Sequence, residues 1–555
     1  MKSDGDTVNM ITGLQWKQMM RFGARALERK KHDVDALNVF PVPDGDTGTN
    51  MNFTIQSAVK DAEKTSGASV AEVATAVSMG SLMGARGNSG VILSQLLRGI
   101  AKGLEGHKEA NGLQVAQALQ VGVDTAYKAV MKPVEGTILT VAREVAKGAQ
   151  NSAKHGAPPL QILKDAYVRG QLTLEKTPDM LPVLKQAGVV DAGGQGFLII
   201  LSGWIAALEG QEFEEEVVLA TPQAESQMIR GITAIEDLEF PYCTEFLVKG
   251  QNLRVEKIRE DLAASGDSLL VVGTEEVVKI HVHVKNPGNI LDYAIQWGSL
   301  HQVAIHNMLE QNEAMAHAQK HEELDESSLQ ETPSEEKEHG IVAVAMGEGI
   351  ADVFRSLGVD EVIFGGQTMN PSTENIVEAV RKVQAKNVYI LPNNGNIVMA
   401  ARQVKELVTD RNVYIIPTKS IPQGISALVN YNPQGDAAEN AKNMEDGLSL
   451  IKSGEVTYAV RDSQFGDLEI SEGDILGLIE DVIQVTGKDR LQVAKETLDT
   501  MKWKDHDLVT IFYGEDVSEE QAEELRTWIA AEAPHIELEL YPGYQPLYYY
   551  IFGVE

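Results

Sequence analysis

Apolar residues recur at helical spacing through the first two hundred residues. Trp16, Met19, Met20, Ala24 and Leu27 form one stripe, Val70, Val73, Ala74 and Val77 a second, and Leu93, Leu96, Leu97, Ile100 and Leu104 a third. Asn88 and Ser89 stand before the third stripe as a natural N-cap pair. Further helical patterns follow Gly112, Thr137, Pro159 and Gly194, and almost nothing here alternates with period two. The pattern predicts an all-α domain over residues 1–209.

An acidic run at Glu212, Glu214, Glu215 and Glu216 marks a boundary, and the period then changes. Thr244 to Val248, Leu269 to Val272 and the alternating Val277 to Val284 predict strands. Helical stretches at Glu256 to Ala264 and Asn289 to Trp297 sit between and after them, giving a small α+β domain over 218–318. Residues 319–339 are rich in Glu and Ser and nearly free of large apolar groups, so they predict a solvated linker. From Gly340 to Glu555 short β-branched runs alternate with helical patterns, at Ile341–Ala345, Glu361–Phe364, Val388–Leu391 and Val413–Ile416. Later strands are expected at Leu508–Tyr513, Ile536–Tyr541 and Tyr548–Val554. This is the signature of an α/β domain with a largely parallel sheet.

A length of 555 residues fits three or four domains. The net charge of −33 excludes broad binding to nucleic acid or to anionic membrane surfaces. Any nucleotide must therefore be held by metal ions and backbone amides more than by a basic field. Cys243 is the single cysteine, which fits a reducing cytoplasm. Met1 to Thr7 is polar and acidic, so no signal peptide is expected. The longest apolar stretch, Phe197 to Leu208, is broken by Ser202 and Gly203 and falls short of the ~20 residues of a membrane span.

The strongest chemical signal is Asn38-Val-Phe-Pro-Val-Pro-Asp44-Gly45-Asp46-Thr47-Gly48-Thr49-Asn50-Met51. Prolines stiffen the approach, glycines permit tight turns, and carboxylates at i and i+2 can converge on one cation. Mg²⁺ commonly takes one or two carboxylates and completes its shell with water and phosphate oxygens. A plain polar turn has the same composition, whereas an EF-hand is excluded because its spaced ligands and closing Glu are missing. Gly84-Ala-Arg-Gly87-Asn88-Ser89-Gly90 precedes an apolar helix and forms a potential anion cradle, although it also suits a helix-helix turn. Two more Gly-rich turns, around Gly136-Thr137 and Asp191-Ala-Gly-Gly, each open a helix. Together they suggest a nucleotide held from several helix ends.

These residues resemble a known family. Asp44-Gly-Asp46-x-Gly48-x-Asn50-Met51, Asn88-Ser89-Gly90, Gly136-Thr137 and Asp191-x-Gly193 are similar to the ATP-binding (DhaL-type) domain of dihydroxyacetone kinases. The form Asn-Val-Phe-Pro-Val-Pro-Asp-Gly-Asp-Thr-Gly-Thr-Asn-Met, followed by a middle and a C-terminal domain, resembles the ATP-binding component of bacterial fatty acid kinases, the FakA or YloV type. The resemblance implies an antiparallel eight-helix barrel binding ATP with two Mg²⁺. It makes Asp44 and Asp46 the Mg²⁺ ligands, with Asn38 standing where dihydroxyacetone kinases have a third acidic ligand. It places Thr47, Gly48, Thr49, Asn50, Asn88, Ser89 and Gly90 at the phosphates, with Thr137 and Asp191 closing the nucleotide site. It further implies a homodimer, a separate fatty-acid-binding protein docked on residues 340–555, and acyl phosphate for phospholipid synthesis. A fatty acid carboxylate is already ionised at pH 7 and needs no general base, which agrees with the lack of an evident catalytic histidine in the first domain.

In the middle domain, Lys279-Ile-His281-Val-His283-Val-Lys285 places two histidines on one strand face, and Cys243 begins another strand. The residues alone suit a zinc site and a polar face equally. The resemblance favours Zn²⁺ on Cys243, His281 and His283, with water or Glu245 as the fourth ligand. Residues 365–373 and 392–396 are each a ligand loop or a plain βα turn. Two other readings stand beside the kinase for fatty acids: a dihydroxyacetone-type kinase, and a non-catalytic scaffold that senses nucleotide.

Overall fold

The computed structural model describes residues 9–39, 45–211, 242–250, 253–262, 265–273, 277–307, 337–366, 370–459, 462–465 and 468–555. Its contacts divide the chain into two units, residues 1–211 with 336–555 and residues 212–335.

The first unit begins with ten helices. Eight are long: α1 (Gly13–Asp35), α2 (Thr47–Glu63), α3 (Val70–Met83), α4 (Gly87–Gly103), α5 (Gly112–Ala129), α6 (Ile138–Ala153), α7 (Pro159–Leu174) and α10 (Ala192–Leu208). The short α8 (Thr177–Met180) and α9 (Pro182–Ala187) join the last two. Local chemistry starts several of them. Thr12 and Gln15 form a capping box at α1, as do Asn111 and Gln114 at α5, and Ser69 accepts from the Glu72 amide at α3. At α4 the N-cap is Arg86, not Asn88 or Ser89, which lie inside the first turn. Gly87 enters with φ +56°, so the helix starts two residues earlier than the expected polar cap.

Each long helix packs on the next, and α10 returns to pack along α1, closing a ring. The entries to α1, α3 and α5 meet at one end, where Ile11 bridges Ala110 and the Val70 amide donates to Lys108 O at 2.8 Å. The entries to α2, α4, α6 and α10 must then lie at the other end, as antiparallel neighbours require. At the α1–α10 seam Trp16 and Trp204 pack at 5.4 Å between ring centroids. There the two backbones touch: a Cβ on Gly203 would lie 2.5 Å from Phe22 O and 2.6 Å from Gly23 N.

The second unit holds a four-stranded antiparallel sheet ordered β2-β3-β1-β4: β1 (Tyr242–Lys249), β2 (Asp267–Gly273), β3 (Val277–Val284) and β4 (Ser299–Asn307). Helices α11 (Val255–Leu262) and α12 (Pro287–Ala294) pack their Ile258, Leu262, Ile290 and Ala294 with Phe246, Val248, Ile280 and Val282 of the sheet.

The rest of the first unit carries two main sheets. One is parallel, ordered β6-β5-β7-β8: β5 (Lys337–Ala345), β6 (Glu361–Phe364), β7 (Ala385–Leu391) and β8 (Asn412–Ile415). Its helices are α13 (Glu348–Ser356), α14 (Thr373–Lys382), α15 (Val398–Leu407), α16 (Ile421–Val429) and α17 (Ala437–Gly447). Strand β5 starts within the stretch expected to be linker: Lys337 pairs with Asp360 at 2.6 Å, and Tyr389 Oη lies 3.0 Å from His339 Nδ1. Polar composition concealed a sheet entry whose backbone bonds to β7.

The other sheet is mixed and ordered β13-β12-β9-β16-β14-β15. Its strands are β9 (Lys452–Tyr458), β12 (Ile475–Ile479), β13 (Val482–Gly487), β14 (Leu508–Tyr513), β15 (Glu537–Pro542) and β16 (Tyr550–Val554), while β10 (Ser463–Phe465) and β11 (Leu468–Ile470) form a separate hairpin. Helices α18 (Arg490–Met501) and α19 (Glu519–Glu532) share its apolar core around Trp503 and Phe552.

The seam at Gly203 gives the first prediction. Gly203→Ala should destabilise the folded chain by about 1–3 kcal/mol, because backbone rather than a yielding side chain meets the new methyl. Gly395→Ala, where nothing lies within 4 Å, should not. Denaturant unfolding of both variants checks the difference.

Candidate functional site

Asp46 precedes α2 and is 8 % exposed. Thr47, Gly48 and Thr49 open the helix, where backbone amides have no partner one turn back, and the Asn50 amide closes the first turn on Asp46 O at 2.8 Å. Asp35, the last residue of α1, holds this turn from below. Its Oδ1 accepts from the Thr49 amide at 2.9 Å and its Oδ2 from the Thr49 hydroxyl at 2.8 Å. Thr49 therefore anchors the turn through the two groups expected to face phosphate. Gly48 packs directly on this end of α1, close to Asp35 and Lys31. Asn38 is buried just past α1, its amide bonded to Asp35 O at 3.1 Å. Asp44 lies outside the described residues.

The entry to α4 meets that of α2. The Ser89 hydroxyl donates to Thr47 O at 3.5 Å, and Gly90 packs against Asn50 and Thr54. A Cβ on Gly87 would sit 2.5 Å from Asn50 Nδ2, so that position needs glycine for space as well as for its positive φ. The result is a buried carboxylate flanked by two helix N-termini made of small residues. Helix N-termini attract anions, and a carboxylate beside them attracts the cation such an anion carries.

A second pair of helix entries is joined through Asp191. Its Oδ2 accepts from the Gly194 amide at 2.7 Å, starting α10, and its carboxylate is also bonded by the Ile138 amide at the start of α6. Thr137 is the N-cap of α6, its hydroxyl turned back to Val134 O at 2.8 Å. Thr137 and Asp191 thus stand at adjoining helix entries, as their motifs suggested. Burial pushes the Asp191 carboxyl up to about 7, against the lowering effect of these two amides.

The C-terminal part of the same unit closes over the first pair. Asn370 Nδ2 donates to Asp46 Oδ2 at 2.6 Å, and the Asn88 carboxamide donates to Asn396 Oδ1 at 2.8 Å. Gln95 bonds Gln403 at 2.9 Å in a buried position, and Arg98 pairs with Glu406 at 2.8 Å. Ala85 and Val91 belong to the apolar core of the parallel sheet. Asn370 and Asn396, each within a stretch read as a ligand loop or a plain βα turn, therefore make interdomain contacts and are neighbours of the site. Asn370 Oδ1 is buried with no hydrogen-bond partner, a state that costs about 1–3 kcal/mol.

Family models match the chain in three stretches: a DAK2 domain at residues 41–206, a FakA-like middle domain at 239–315, and a FakA-like C-terminal domain at 340–555, the last two being models of fatty acid kinase chains. Protein YloV of Bacillus subtilis (strain 168) is 45% identical over 558 residues, covering 99% of this chain and 100% of that protein. The chain belongs to the FakA-like family of fatty acid kinase chains. An uncharacterized protein of Staphylococcus aureus (strain USA300) is 41% identical over 555 residues, covering 99% of this chain and all of that protein. Among solved structures, the dihydroxyacetone kinase from C. freundii in complex with AMP-PNP and Mg²⁺ is similar with a TM-score of 0.29 and 17% identity, covering 37% of each chain. Membership makes this a kinase-family chain with an all-helical DAK2 region, a middle domain and an α/β C-terminal domain. Among the described residues no helix is long and apolar enough to cross a membrane.

In the family's middle domain, the backbone register of β3, β1 and β4 sets Cys243 opposite His283 on one side and His306 on the other. His281 lies two residues along β3 from His283, opposite Glu245. His306 stood outside the expected set because β4 was not foreseen, and Ser299 to Asn307 carries no clean alternation. Among the described residues no group of three or more His, Cys, Asp or Glu could hold a metal ion. The side chains at 243, 281, 283 and 306 lie outside that description.

The raised Asp191 carboxyl makes a pH prediction. Its folded pKa of about 7 exceeds the unfolded value of about 3.9. Its contribution is full below the lower value and is lost as pH rises through the upper one. Asp191→Asn keeps a capping oxygen but cannot ionise. The native chain should lose stability relative to this variant between about pH 4 and 7, with the gap constant above pH 8. Denaturant titrations across that range measure it.

Proposed function

We propose that this chain transfers the γ-phosphoryl group of ATP to the carboxylate of a fatty acid carried by a separate fatty-acid-binding protein. A carboxylate oxygen of the acid bonds to the γ-phosphorus, the bond to the β,γ-bridging oxygen breaks, and ADP and acyl phosphate leave. The single observation that supports it best is the buried Asp46 between the N-termini of α2 and α4, in a FakA-like chain of the fatty acid kinase family.

These residues suit a nucleotide with divalent cations. Asp46, with Asp44, would hold two Mg²⁺, whose chemistry is charge neutralisation on the phosphate oxygens. Amides of the first turns of α2 and α4, with Thr47, Asn50, Ser89 and the glycine-lined edge at Gly87 and Gly90, would bind and orient the phosphates. Asp35 keeps the α2 turn in place through Thr49. The acceptor needs no base, because a fatty acid is ionised at neutral pH. Zinc at Cys243, His281 and His283, with water or Glu245 as the fourth ligand, is the reading of the middle domain that the family resemblance favours. Docking of the fatty-acid-binding partner on residues 340–555, a homodimer, a cytoplasmic setting and supply of acyl phosphate to phospholipid synthesis complete the proposal on family resemblance alone.

ADP formation by the purified chain with ATP, Mg²⁺ and oleate, with and without a fatty-acid-binding protein, tests the reaction. Turnover should require both lipid and partner. Asp46→Asn should reduce it at least ~100-fold while circular dichroism stays unchanged. Turnover on dihydroxyacetone would change the acceptor, and partner binding without turnover would favour the nucleotide-sensing scaffold.

A further inference from the structure

Asn370 and Asp46 are 324 residues apart in the chain, yet the carboxamide of one is bonded to the carboxylate of the other. Several contacts fix that meeting. Arg86 Nη1 donates to Asn370 O at 3.0 Å, and the Arg86 guanidinium lies 4.9 Å from the Phe53 ring centroid. Three residues on, the Thr373 amide donates to Ala85 O at 3.1 Å, and Pro371 restricts the backbone between. Asn370 is 1 % exposed, so bulk solvent does not reach its amide.

The pair is incomplete as it stands. Nδ2 is used on Asp46 Oδ2, while Oδ1 is buried with no partner. Turning the amide over would set an oxygen against the Asp46 oxygen, which only an intervening cation makes favourable. A buried carbonyl oxygen beside a carboxylate calls for a cation or for water held by one.

We propose that Asn370, from the C-terminal domain, completes the metal site of the helical domain: its amide nitrogen orients the Asp46 carboxylate and its free oxygen serves the water shell of a divalent cation. This rests on the reading of Asp46 as a metal ligand. Asn370 is then a positioning residue, of the outer kind that orients a ligating carboxylate. The site is whole only while the C-terminal domain is docked on α4.

Binding of Mn²⁺ to the full chain without nucleotide, followed by electron paramagnetic resonance, tests this directly. Asn370→Ala should weaken binding roughly tenfold. Asn370→Asp, which is isosteric and adds a carboxylate, should tighten it. Gln403→Ala removes a different buried interdomain bond and should stay within about twofold. Equal weakening by Asn370→Ala and Asn370→Asp would reduce Asn370 to a docking contact and overturn the proposal. Tighter binding in Asn370→Ala would make it a competitor of the metal and overturn it equally. If Asp46→Asn binds Mn²⁺ as the native chain does, the metal reading itself fails. If Asp46→Asn loses Mn²⁺ and Asn370→Ala does not, this inference fails alone.

Discussion

Alternating helix directions around a closed ring place the entries of α2, α4, α6 and α10 at one end, and each entry brings backbone amides with no partner in its own helix. Asp35 supplies one partner, by bonding Thr49 from the end of α1. Asp191 supplies others, by joining the starts of α6 and α10. The entries of α2 and α4 meet each other next to Asp46. The chemistry ascribed to this chain depends on that arrangement more than on any single side chain.

The strongly acidic composition sharpens the constraint. A chain of net charge −33 does not draw in a polyanionic nucleotide by its overall field. Attraction has to be local, from helix ends and from cations held by carboxylates. The glycines at the meeting of α2 and α4 serve that end, because a side chain at Gly87 would occupy the space beside Asn50. The C-terminal domain then docks over the entries of α2 and α4, with Asn370 on Asp46 and Asn396 on Asn88.

Much of this was legible in the residues. Helical stripes with a period near 3.6 marked the first domain, and Asp-Gly-Asp with its flanking glycines marked a tight turn, though not the helix α2 that follows it. The four parallel strands of the C-terminal sheet were foreseen within a few residues of their ends. What escaped had physical reasons. The β12–β13 hairpin turns at Glu480 and Asp481, with φ of 49° and 63°, where a two-residue turn of this hand ordinarily carries Asn or Gly. The paired cap Asn88-Ser89 was displaced because Gly87 begins the helix earlier. Asp35 stood outside every motif, since its bonds run to Thr49 of the next helix. The Asp46–Asn370 bond joins distant parts of the chain, and no local pattern encodes such a contact.

Hydrogen exchange of the full chain, with and without a non-hydrolysable ATP analogue and Mg²⁺, tests the central claim most directly. The account predicts slower exchange together in three places: the first turn of α2 from Thr47 to Asn50, the first turn of α4 from Gly87 to Gly90, and the chain around Asn370. Protection confined elsewhere, or protection of the helical turns with none at Asn370, would contradict a nucleotide site built at Asp46 by both domains.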